Sequence, residues 1–60
     1  MRKGDRVVAK EEISIGWLSS VKAGTTGVVV KDPGIMSGPT VAFEGHSGTH
    51  VVSEGKLQRN

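Results

Sequence analysis

Apolar residues come in short runs of two or three, separated by glycine, proline and charge. The runs are Val7-Val8-Ala9, Val28-Val29-Val30, Val41-Ala42-Phe43 and Val51-Val52. Valine and threonine dominate them, and both favour a pleated strand over a helix. Short β-branched runs at close spacing, divided by turn residues, are the pattern of an all-β sandwich or barrel. The pattern predicts strands at Arg6 to Lys10, Gly27 to Lys31, Thr40 to Glu44, Thr49 to Ser53 and Leu57 to Arg59.

The turns between them follow from residue chemistry. Asp32-Pro33-Gly34 places a fixed φ before a residue that accepts positive φ. Gly45-His46-Ser47-Gly48 joins the third and fourth strands as a tight hairpin. Ser53-Glu54-Gly55-Lys56 reads as one helical turn before Leu57. The connection from Glu11 to Gly24 is longer than an ordinary hairpin loop, so it is expected to be a folded-over arm or a functional loop. Within it, Ser19 to Ala23 is the one stretch compatible with helix. Strand alternation then sets the expected core as Val7, Ile13, Val28, Val30, Val41, Phe43, one of Val51 and Val52, and Leu57. Trp17 and Leu18 are left either to cap the end of a barrel or to form an exposed patch.

Sixty residues make one domain, spanning 1–60, whose folding buries only about 60% of the surface its unfolded chain exposes. Such a domain needs a staple, a partner or a very regular core. The chain has no cysteine, which removes disulfides and thiolate zinc sites. Regular packing or self-association is what remains. The net charge is +2, too mild to announce nucleic acid by itself. No apolar run reaches the roughly 18 residues of a membrane span, and no signal-like apolar region follows Met1-Arg2-Lys3. A soluble, cytoplasmic protein is expected.

The order of motifs resembles the SH3-like small β-barrel family. There, a Gly-Asp-x-Val start leads into the first strand, a long loop follows, and a Gly-x-x-Gly-x-Val turn opens the second. Here these are Gly4-Asp5-Arg6-Val7 and Gly24-Thr25-Thr26-Gly27-Val28-Val29, and Ser53 to Leu57 matches the closing helical turn and strand. The resemblance covers nearly the whole chain. It implies an all-β, five-stranded SH3-like barrel, with a long loop between strands one and two and one short helical turn before the last strand.

Three branches of that family imply different work. KOW-type domains carry a similar glycine turn and imply contact with RNA or protein. Type II dihydrofolate reductase is similar at Gly4-Asp5-Arg6-Val7, at Glu44-Gly45-His46-Ser47-Gly48-Thr49 and at Leu57-Gln58-Arg59. That enzyme carries Val-Gln-Ile-Tyr after the hairpin, where this chain reads His50-Val51-Val52-Ser53, so no catalytic residue transfers. The variable subunit of ferredoxin:thioredoxin reductase, a non-catalytic barrel that braces a partner, resembles this chain around Lys10-Glu11-Glu12-Ile13 and Val41-Ala42-Phe43.

The residues themselves offer little catalytic chemistry. Ser19, Ser20 and Ser47 lack a base and an orienting group together. His46, His50 and Glu44 flank one hairpin and would make at most a weak metal site, because metal needs three or four convergent ligands. The expected placement is His46 in the turn, His50 on the outer face and Glu44 in solvent. No cofactor, metal or catalytic residue is assigned.

Two binding surfaces remain. The favoured one is a protein-docking or self-associating surface carried by Ile15, Trp17 and Leu18 in the arm, joined by Ile35 and Met36 in the loop beside Pro39. Exposed apolar patches mark interfaces, and Trp is enriched at their energetic centres. The alternative is a nucleic-acid surface made by Arg2, Lys3, Arg6, Lys10, Lys56 and Arg59, a basic stripe if the last strand runs beside the first. Single-strand binders pair such stripes with aromatic platforms, and this chain has only Trp17 and Phe43.

Overall fold

The computed structural model describes all 60 residues. The chain forms seven strands: β1 (Arg6–Ala9), β2 (Ile13–Ser14), β3 (Ser20–Val21), β4 (Thr26–Lys31), β5 (Thr40–Phe43), β6 (His50–Val51) and β7 (Leu57–Arg59). One 3-10 turn, Glu54–Lys56, precedes β7. The structure is mostly β, with no helix besides that turn. Five strands make an antiparallel sheet in the order β6-β5-β4-β1-β7, and β2 with β3 make a second, two-stranded one. The large sheet has two free edges, β6 and β7, so its ladder does not close into a barrel. No helix is long and apolar enough to cross a membrane.

The expected strands fall where the β-branched runs lie, and β7 has the bounds the sequence predicts. The fourth strand is shorter than expected, at His50–Val51. The expected long loop contains a hairpin instead, and Ser19 to Ala23 supplies β3 rather than a helix. The cross-strand pair Ile13↔Val21 holds this hairpin, with both side chains buried. Two-residue strands are too short to display an alternating pattern, so they leave no signal in the sequence.

The core is Val7, Ala9, Ile13, Val21, Val29, Val41, Phe43, Val52 and Leu57. Val29, 1% exposed, takes the place expected for Val28 and Val30, which are 40% and 37% exposed. Register decides this. Val7 and Phe43 both pair with Gly27, so position 27 faces the core, and Val29 two residues on faces it too. The same alternation, continued one residue past β6, selects Val52 over Val51. Gly27 makes room for the core's one aromatic ring: a Cβ there would lie 3.0 Å from Phe43 Cδ1 and 2.8 Å from the Ala42 carbonyl oxygen.

Candidate functional site

The hairpin β2–β3 is fastened at its base and free at its tip. Ile13 and Val21 sit in the core, and Ile15 packs partly against it. The Ser20 hydroxyl donates to Glu12 Oε2 at 2.9 Å, and the Ile15 amide donates to the Ser19 carbonyl at 3.1 Å. That last bond closes the turn and drives residues 16–18 outward. Trp17 is 101% exposed and Leu18 98% exposed. They therefore do not plug the molecule, one of the two roles the sequence left open. Smaller core residues, Ala9 and Val21, take the interior positions that the sequence reading left unfilled.

Ile35 and Met36 are also fully exposed, in the loop between β4 and β5. Pro39 at the end of that loop is buried, and its carbonyl accepts the Val52 amide at 3.0 Å. The two loops are alike in that two consecutive apolar side chains stand in water, above two buried ends in the hairpin and one buried end, Pro39, in the β4–β5 loop. No hydrogen bond joins the two loops. A solvent-facing apolar pair costs stability or solubility without gaining packing, which is why such pairs point to a binding surface.

The basic residues divide between faces. β7 does lie beside β1, and the Lys10 amide donates to the Lys56 carbonyl at 2.9 Å, so those two residues are neighbours. Arg6 pairs with Val28 and lies on the outer face of the sheet. Arg59 pairs with Val7 and lies on the opposite side, its Nη2 3.4 Å from Asp5 Oδ2. The Arg2 amide donates to the same Asp5 oxygen at 2.9 Å, and the Lys3 amide to Asp32 Oδ1 at 2.6 Å. The six expected cations therefore do not form one stripe. Lys31, not singled out in the sequence, pairs with Thr40 on the outer face with Arg6.

Asp5 organises the amino-terminal turn. The Arg2 backbone hydrogen bond holds its carboxyl below the ordinary value of 3.8; burial opposes this, and the charges of Arg59, the terminal amine and Arg2 each add a smaller lowering. A depressed folded-state pKa stabilises the fold above the unfolded value and loses that contribution as pH falls through the folded one. Wild-type stability should therefore drop more than that of Asp5→Asn between pH 5 and pH 2, roughly the span in which carboxylates protonate. Denaturant midpoints across that range check this, and parallel curves would remove Asp5 as a contributor.

His50 is turned inward rather than outward, because it pairs with the core residue Val41. Its Nε2 is buried without a hydrogen-bond partner. His46 is half-buried in the turn, where its amide donates to the Phe43 carbonyl at 3.3 Å, and Glu44 is exposed. The two histidines and Glu44 do not converge, and no group of three metal-ligating side chains comes together anywhere. The surface carries no pocket. Its two projecting apolar tips are convex features, able to enter a cavity on something else. No protein-family model, curated protein or solved structure matches the chain.

Proposed function

We propose that this chain is a small, non-catalytic binding module of the SH3-like kind that docks a protein partner through the tip of its β2–β3 hairpin. The observation that carries this reading is the complete exposure of Trp17 and Leu18 on a hairpin whose base is buried. A rigid base lowers the ordering cost of binding, and a Trp–Leu pair offers the large apolar contact typical of interface centres. Ile15 supports the tip from below, and Ile35 with Met36 supply a second apolar contact for a partner broad enough to span both loops. The SH3-like assignment is supported by the motif order, by the strand order β6-β5-β4-β1-β7 and by the 3-10 turn before β7. The nucleic-acid alternative draws its support from the adjacent Lys10 and Lys56, and the turning of Arg59 to the opposite side takes support away. The hairpin reading is therefore preferred.

The test is a double variant, Trp17→Ser with Leu18→Ser. Capture of the partner by the tagged chain should fall at least about tenfold, as for a lost interface centre. The unfolding free energy should change by no more than about 0.5 kcal/mol, because neither side chain is packed. Equal capture by variant and wild type would overturn the reading. Trp17 is the chain's one tryptophan, so its fluorescence reports on the tip directly. It should be that of a solvent-exposed indole in the free chain and shift to the blue on docking.

A further inference from the structure

The outer face of the five-stranded sheet carries a patch of valines where an exposed antiparallel face is ordinarily polar, with Arg6, Thr26, Lys31, Thr40 and Gln58 around it. Register places Val28 between Arg6 and Ala42 on this face, with Val8 beside Thr26 in the next row and Val51 beside Thr40 in the other. Val30 follows the inward-facing Val29 and points outward by alternation, and the β-bulge between Val29 and Lys31 brings Lys31 to the same face opposite Thr40. Val8 and Ala42 are half-buried by their strand neighbours; Val28, Val30 and Val51 are exposed, Val51 by 63%. Hence Val7-Val8-Ala9, Val28-Val29-Val30, Val41-Ala42-Phe43 and Val51-Val52 are unbroken apolar runs, and such runs mark strands covered on both faces. The chain covers only one.

We infer that a second copy of this chain covers the other, the two sheets packing face to face about a twofold axis that runs along β4. The charges favour this occupant. Arg6 lies on β1 and Lys10 just beyond it, to one side of β4. Glu44 follows β5 on the other side, in the row of Val8, where its amide donates to the Thr26 carbonyl at 2.9 Å. A twofold along β4 lays β1 of one copy over β5 of the other. Glu44 then lands between Arg6 and Lys10 of its mate, twice, with Val28 against Val28 at the centre. Lys31, at the end of β4, meets its counterpart at the rim, where water and salt screen the repulsion. The face has no aromatic residue on which a base could stack, which argues against nucleic acid as the cover. A second copy also supplies the packing that a nine-residue core lacks.

The area sets the strength. Five strands about 4.8 Å apart make a face about 19 Å wide, and six residues of β4 make it about 20 Å long. That is at most roughly 400 Å² per copy in projection, about 800 Å² for the pair and below the range of stable specific interfaces, so the dimer should be weak and dissociate on dilution. Sedimentation equilibrium from micromolar to millimolar chain should show the mass rising from one chain to two. Val28→Lys should raise the dissociation constant at least about tenfold, by burying an unpaired charge, and Trp17→Ser should leave it unchanged. Arg6→Glu and Glu44→Lys should each weaken association, and mixing the two variants should tighten it above either alone, because both contacts between positions 6 and 44 then join opposite charges, with one like-charge contact left at Lys10. Arg6 and Glu44 are exposed, so these variants retain the fold even if Val28→Lys does not. A mass of one chain at every concentration would overturn the inference. So would a dimer abolished by Trp17→Ser, a folded Val28→Lys variant that associates like wild type, or a mixture no tighter than its components.

Discussion

Gly38→Ala is expected to unfold the protein, or nearly so. A Cβ at position 38 would lie 1.9 Å from the Val52 carbonyl oxygen, 2.9 Å from its carbonyl carbon and 3.2 Å from Ser53 Cα. All three are backbone atoms, so no side-chain rotation relieves the overlap. One of the two segments must move, and both are pinned. Pro39 and Val52 are buried, and the Val52 amide is bonded to the Pro39 carbonyl at 3.0 Å. Separating them breaks that bond and opens the core at two residues. Overpacking of this kind costs about 1–3 kcal/mol when neighbours can yield and more when they cannot. A core of this size rarely supplies more than about 3–5 kcal/mol in total. Urea unfolding of Gly38→Ala beside Gly55→Ala is the measurement. Position 55 has open space around it, so that control should match or slightly exceed wild type. A Gly38→Ala midpoint equal to wild type would show that the two segments are not held together as described.

Gly38 also shows what the sequence displays and what it hides. The β-branched runs, the turn at Asp32-Pro33-Gly34 and the helical turn before Leu57 declare themselves through local chemistry, so strand positions are legible. Which valine of Val28-Val29-Val30 faces inward is a matter of register, set for Val28 by Arg6, 22 residues earlier in β1, and Ala42, 14 later in β5. Three identical residues carry no information about it. The β2–β3 hairpin is hidden for a related reason: its strands of two residues span a single period of alternation, too little for the pattern to repeat. Its stability comes from the Ile13↔Val21 pair entering a core assembled elsewhere in the chain. His50 faces inward for the same non-local reason, its pairing with Val41. The exposed tip, by contrast, was half visible. An apolar, glycine-bearing arm with a tryptophan announces either a plug or a contact, and only the Ile15–Ser19 turn decides between them.

Phe43→Ala carries the other large effect, and it tests whether the core rests on one ring. Phe43 is 3% exposed and is the only aromatic among nine core residues, the rest being aliphatic and mostly valine. Its position depends on two features far apart in the chain. Pairing with Gly27 directs it inward, and the missing Cβ at Gly27 leaves the space its ring edge occupies. Removing the ring forfeits the transfer energy of the lost atoms and leaves a cavity, about 3–5 kcal/mol together. Valine side chains have little reach and stiff χ1 angles, so the surrounding residues cannot collapse into the gap. The loss therefore equals roughly the whole stability of so small a domain. Phe43→Ala should show a collapsed spread of amide shifts in its NMR spectrum and no cooperative thermal transition. Phe43→Leu should keep a cooperative but lowered one. Glu44→Ala, one residue along and exposed, should stay within about 0.5 kcal/mol of wild type when measured at a dilution that keeps the chain monomeric. If the dimer forms as inferred, raising the concentration should partly rescue Phe43→Ala, because association that requires the folded sheet draws the equilibrium toward it. A Phe43→Ala chain that melts cooperatively near the wild-type temperature at high dilution would mean the valine layer holds the sheet together without the ring.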